Sequence, residues 1–184
     1  QSGATPALSV SPSSRSVSST SGTTTFTVTS NIDWAVSESS DWLTAVKTNS
    51  TTLTVTYNQN SSVDSHLANI TLSGTGVTSQ VVIVTQSGAT PALSVYPSSG
   101  SVSSASGTTT FTVTSNIDWT VSENSDWLTA IKTNATTLTV TYNENSGNEN
   151  RSANITLSGT GVTSQVVIVT QSGATPALSV YPSS

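Results

Sequence analysis

The residues able to do acid–base, nucleophilic or metal chemistry are few. His66 is the single histidine, and Cys is absent. Six of the nine carboxylates form two matching sets, Asp33, Glu38 and Asp41, then Asp118, Glu123 and Asp126. Two carboxylates across a cleft, one of them with a raised pKa, would suit glycoside hydrolysis. These six instead border alternating Thr/apolar segments, in polar stretches where Asp is a common turn former. In a second copy of the same sequence Arg151 stands where the first has His66. A nucleophile–base pair or a metal site built on the histidine could not occur in both copies. The run Asn143 to Asn150 is rich in oxygen but lacks the ordered alternation of a dedicated calcium loop, and reads as a solvated hairpin. No catalytic residue, no metal and no cofactor are expected.

Lys47 and Lys132 are the only lysines. A Lys–Asn isopeptide bond would staple a chain without disulfides, but no paired buried carboxylate is identifiable for either lysine. The row Thr23, Thr25, Thr27, Thr29 has the look of an ice-binding face, and ordinary β-propensity explains it. The tryptophans remain. A sugar-binding surface needs flat, exposed aromatic rings on which the apolar face of a pyranose can stack. Trp34 and Trp119 have apolar neighbours two residues away, as a core ring bridging two sheets would. Trp42 and Trp127 follow a polar turn and begin Trp-Leu, which makes them the candidate ligand-binding residues. The capped edge of a core is the other reading of that pair.

The elements that must position these residues are strands. Ser and Thr make up 73 of 184 residues and charged residues only 7%. Thr and Val, stiff at the β-carbon, favour a pleated surface over a helix. A hydrophobic content of 33% suffices when one face of each strand is wet. With four Lys and Arg and a net charge of −5 no basic footprint can form, which excludes nucleic acid as a partner. The longest apolar run, Val81 to Val84, is far short of the ~20 residues of a membrane helix, so no membrane insertion is expected.

The segment QSGATPALSV begins at Gln1, Gln86 and Gln171, a shift of 85 residues each time. Residues 1–85 and 86–170 are identical except at 11, 15, 20, 35, 39, 46, 50, 59 and the block 62–67. A unit of this length suits a free-standing β-sandwich better than a solenoid repeat. The expected domains are 1–88, 89–173, and a truncated start of a third repeat at 174–184, with a linker at Gln86 to Pro91. The last segment is expected to be mobile past Ala174 or docked as an added edge strand. Each unit shows seven segments: Ala7 to Ser11, Thr23 to Ser30, Ile32 to Val36, Trp42 to Val46, Thr52 to Tyr57, Ala68 to Leu72 and Val77 to Thr85. Phe26, Val28, Trp34, Val46, Leu53 and Val55 are predicted to face inward, Ala35 outward. The fold class expected is all-β, two tandem immunoglobulin-like, antiparallel β-sandwich domains.

The ordered set Ile32-Asp33-Trp34-x-Val36, Asp41-Trp42-Leu43-Thr44, Leu53-x-Val55-x-Tyr57-Asn58, Arg151-Ser-Ala-Asn-Ile155-Thr-Leu157 and a closing Val-Thr-Gln86-Ser-Gly88 resembles the BACON domain (Bacteroidetes-associated carbohydrate-binding, often N-terminal). The resemblance spans about 8–88 and 93–173, with His66 as a departure where the family has Arg. It implies an immunoglobulin-like sandwich in secreted or surface proteins, often beside glycoside hydrolases, with glycan or mucin binding proposed from that company. The expected role is a non-catalytic structural spacer or stalk, extracellular or at a bacterial cell surface, with neighbouring domains of the array as partners. The alternative is a carbohydrate- or mucin-binding module in which repetition supplies avidity to weak sites. A phage or surface-layer subunit would share the spacer's chemistry.

Overall fold

In a computed structural model, residues 3–176 are described; the expected start of a third repeat lies outside them from residue 177 onward. The chain separates into two compact units between Thr90 and Pro91. Among the described residues the elements are sixteen strands, eight per unit, with no helix. Unit one holds β1 (Leu8–Ser11), β2 (Ser14–Val17), β3 (Gly22–Ser30), β4 (Trp34–Ser37), β5 (Leu43–Asn49), β6 (Thr52–Tyr57), β7 (His66–Gly74) and β8 (Gln80–Gln86). Unit two repeats them as β9 (Leu93–Tyr96), β10 (Ser99–Val102), β11 (Gly107–Ser115), β12 (Trp119–Glu123), β13 (Leu128–Asn134), β14 (Thr137–Tyr142), β15 (Arg151–Gly159) and β16 (Gln165–Gln171).

Each unit is a sandwich of two four-stranded sheets, in unit one β1-β3-β6-β5 against β2-β8-β7-β4. Alternation decides which face is buried. In β3, Phe26 and Val28 are buried between exposed Thr25, Thr27 and Thr29, and Leu53, Val55, Ile70, Leu72, Val82 and Val84 are fully buried. Burial of each such side chain contributes roughly 1.5–3 kcal/mol before entropy is counted. Trp34 from β4 fills the space between the sheets at 3% exposure, and Ala35 faces outward. The turn between β7 and β8 carries Gly76 at φ +78, a backbone region where only glycine is unstrained.

The structure corrects the expected strand count of seven. β2 is an eighth strand, and it pairs parallel to β8, Ser14 opposite Ile83 through Val17 opposite Gln86. Its sequence hides it: β2 is an edge strand with three exposed residues, and only Val17 is packed on the core. Pro12 interrupts the N-terminal segment, so β1 pairs with β3 in one sheet and β2 with β8 in the other. The inward placement of Val46 is also corrected. Val46 and Ile131 are each 52% exposed, because Leu43 and Ala45 set the phase of β5 and the next residue must point out. Gln86, expected in the linker, is instead the last residue of β8 and fully buried.

Candidate functional site

Trp42 and Trp127 each stand just before a strand, β5 and β13, and both are half-buried and packed against the core. The polar turn and the adjacent buried Leu43 or Leu128 hold the indole at the rim. A ring from the opposite sheet covers Trp42: His66 lies 5.3 Å away between centroids, tilted by 48°. In unit two Arg151 takes that place, its guanidinium carbon 4.5 Å from the centre of the Trp127 ring. A cation at that distance is attracted by the negative face of the indole. The area each ring offers to a sugar is therefore confined to what the core and this neighbour leave uncovered.

Arg151 is anchored as well as stacked. Its Nε donates to Gln171 Oε1 at 2.9 Å, and one Nη donates to the carbonyls of Asn143 and Glu144 at 2.9 and 3.0 Å. Gln171, fully buried, donates in turn to the carbonyls of Ser104 and Asn143 at 3.1 and 2.9 Å. The result is a polar plug at the end of the sandwich where β16 leaves it. Unit one builds the same plug with a gap. Gln86 still donates to Asn58 and Ser19 carbonyls, at 2.8 and 3.3 Å, but its Oε1 and the facing His66 Nδ1 are buried without partners. A buried polar atom without a partner is destabilising. The sequence places Gln86 in the closing motif and the linker, not in the core, yet a signal for its burial exists: Gln86 follows Val82 and Val84 in the inward phase.

Several of the other candidates serve local structure. Lys47 pairs with Asp33, donates to the Trp34 carbonyl at 3.0 Å and lies 4.9 Å over the Trp34 ring. Lys132 repeats this with Asp118 and Trp119. The hydrogen bond from the lysine, and then its charge, hold each Asp carboxyl below its ordinary range. An exposed, ionised carboxylate is not the buried acid that would assist a Lys–Asn isopeptide bond. Glu38 accepts from the Ser40 N–H at 2.8 Å and so closes a turn. The Asn143–Asn150 loop is held by buried Asn145, which donates to the Glu149 and Ser172 carbonyls at 2.9 and 3.0 Å. Among the described residues no three His, Cys, Asp or Glu side chains cluster as metal ligands would. Thr23, Thr25, Thr27 and Thr29 are exposed along β3. An open hollow of about 370 Å³ beside Asp33, Ser73 and Thr75 recurs, at about 390 Å³, beside Asp118, Ser158 and Thr160.

Comparison with known proteins bears on this arrangement. Residues 7–89 and 92–174 each match the family described as the viral BACON domain. No curated protein matches the chain. Among solved structures, a titin fragment superposes with a TM-score of 0.50 at 10% identity, over 85% of this chain and 93% of that one. An endo-fucoidan hydrolase of glycoside hydrolase family 107 gives 0.40 at 12% identity, over 91% of this chain and 28% of its own. A Bacteroides ovatus xyloglucanase, solved with a heptasaccharide, gives 0.41 at 18% identity over 47% of this chain. The chain thus spans 28% and 20% of the two hydrolase chains. The titin likeness shows the fold: two immunoglobulin-like sandwiches in tandem.

Proposed function

The chain belongs to the viral BACON domain family, as two tandem copies, and from that premise we propose that it is a non-catalytic spacer. Its beads would hold neighbouring domains of a longer array apart, outside the cell and at a bacterial surface. The observation that carries this reading is how each bead is finished by its own side chains. The rim indoles are covered by His66 or Arg151, Asp33 and Asp118 are paired with Lys47 and Lys132, and Glu38 closes a turn. The connection supports it too. Ser87 and Ala89 donate to Val17 and Ser62 carbonyls of unit one, at 3.0 and 2.7 Å, and Ala92 donates to Asn116 Oδ1 of unit two at 2.8 Å. A linker fastened so close to both ends has little length left to flex.

The test is a distance distribution. The chain has no cysteine, so Ser73→Cys with Ser158→Cys gives one label per bead for pulsed electron paramagnetic resonance. A spacer gives a single narrow distribution; a broad one refutes it. Immunolabelling of intact cells tests the location, and a signal seen only after lysis refutes it. A second reading, glycan or mucin binding, is favoured by the part of Trp42 and Trp127 that lies outside the core. Mucin pulldown lost on Trp42→Ala plus Trp127→Ala, with both beads still folded, would replace the spacer reading.

A further inference from the structure

We propose that the parallel pair β2–β8, repeated as β10–β16, is a mechanical clamp that makes each bead resist tension applied along the chain. The inference follows from which strands pair. β2 is the second strand from the N-terminal side and takes the load once the short β1 has come away from β3, and β8 is the strand that leaves toward the C-terminal side. They are direct neighbours, parallel, and in register over Ser14–Ile83, Arg15–Val84, Ser16–Thr85 and Val17–Gln86. Tension between the ends of a bead draws β2 toward its own N-terminus and β8 toward its own C-terminus. For parallel neighbours those directions are opposite and lie along the strands. The pair is therefore sheared, and its hydrogen bonds share the load. An antiparallel pair pulled from adjacent ends would open one bond at a time.

The bonds at both limits of the pair are in place. Ile83 N–H donates to the Ser13 carbonyl and Ser87 N–H to the Val17 carbonyl, each at 3.0 Å. In unit two Ile168 donates to Ser98 at 3.2 Å and Ser172 to Val102 at 3.0 Å. Where load enters β8, buried Gln86 ties the strand end to the Ser19 and Asn58 carbonyls. Buried Asn60 holds the next residue through the Ser87 carbonyl at 3.1 Å. These ties keep tension from peeling β8 before the pair is sheared. The biological use of the clamp rests on the spacer reading; its mechanics rest on topology alone.

Single-molecule force spectroscopy on the whole chain decides the matter, with cysteine handles in a protein that has none of its own. Handles at Gly3→Cys and Thr175→Cys load both beads end to end. Handles at Ser65→Cys and Ser87→Cys instead pull on the neighbouring ends of antiparallel β7 and β8, where His66 faces Gln86. Terminal loading is expected to give two unfolding events, each releasing one bead at roughly 3.3–3.6 Å per residue, at forces several-fold above the event in the second geometry. Equal forces in the two geometries overturn the clamp and leave the spacer reading to its own distance measurement. Ser13 and Val17 carbonyls face β8, which places the Arg15 N–H on the paired side and that of Ser16 on the open edge. Arg15→Pro should lower the terminal unfolding force of bead one while Ser16→Pro does not. If Arg15→Pro prevents bead one from folding, the comparison of pulling geometries stands by itself. A folded Arg15→Pro bead that keeps its full force also overturns the proposal.

Discussion

The plug beneath the rim indole invites His66→Arg, which would give unit one the side chain that unit two already has. The acceptors are present: the carbonyls of Asn58 and Gln59 correspond to those of Asn143 and Glu144, and Gln86 Oε1 is buried with no partner. Pairing that oxygen recovers about 1–3 kcal/mol of desolvation penalty. A guanidinium over a half-buried indole adds about 0.5–1 kcal/mol. Ordering the longer side chain costs up to about 1.5–2 kcal/mol. The net expectation is a stabilisation on the order of 1 kcal/mol, which for a domain of this size raises Tm by about 4–8 °C. Differential scanning calorimetry of the full chain measures it, with unit two as internal reference. Arg151→His should shift unit two down by a similar amount. No rise in the first case, together with no fall in the second, would refute the reasoning that the orphaned atoms are costly.

Trp119→Ala should cost about 3–5 kcal/mol in denaturant unfolding, the usual price of emptying a large core aromatic, and more than Trp127→Ala; the reverse order would break the division between core and rim. The lowered Asp33 and Asp118 pKa values stabilise the fold above the ordinary Asp range. That contribution fades as pH falls through the lower folded-state values, so acid titration of Tm should show a fall that Asp33→Asn plus Asp118→Asn removes. Gly88→Ala should destabilise unit one by about 1–3 kcal/mol through overpacking. The added methyl would lie 1.9 Å from the Val63 carbonyl oxygen, and an unchanged melting curve would show that this loop yields freely.

Much of each sandwich was legible because a buried strand face writes a period of two into the sequence. Phe26 with Val28, Leu53 with Val55, and Ile70 with Leu72 announce their strands and their inward side. β2 was not legible, since an edge strand with one packed residue carries no alternation, and its parallel partner is set by the rest of the fold. Val46 misled because the four apolar residues within Trp42 to Val46 cannot share one face of a strand, and sequence alone does not say which ones yield. At the candidate site, the core role of Trp34 followed from its neighbours two residues away. The covering of Trp42 by His66 did not, since it joins residues on opposite sheets.

The position held by His66 and Arg151 links two properties that need not change together. It closes the plug at the strand end through which tension would enter the bead, so filling the gap should raise equilibrium stability. Shear resistance, however, depends on bonds that break before the transition state, and those lie in the β2–β8 ladder. Interactions still intact at the transition state alter the unfolding rate little, while those lost early alter it strongly. His66→Arg should therefore raise the melting temperature of unit one and leave its terminal unfolding force nearly unchanged if the plug only backs the strand end. A rise in both, measured on the same protein, would place the glutamine tie inside the clamp, with Arg151 making unit two the stronger bead at that point.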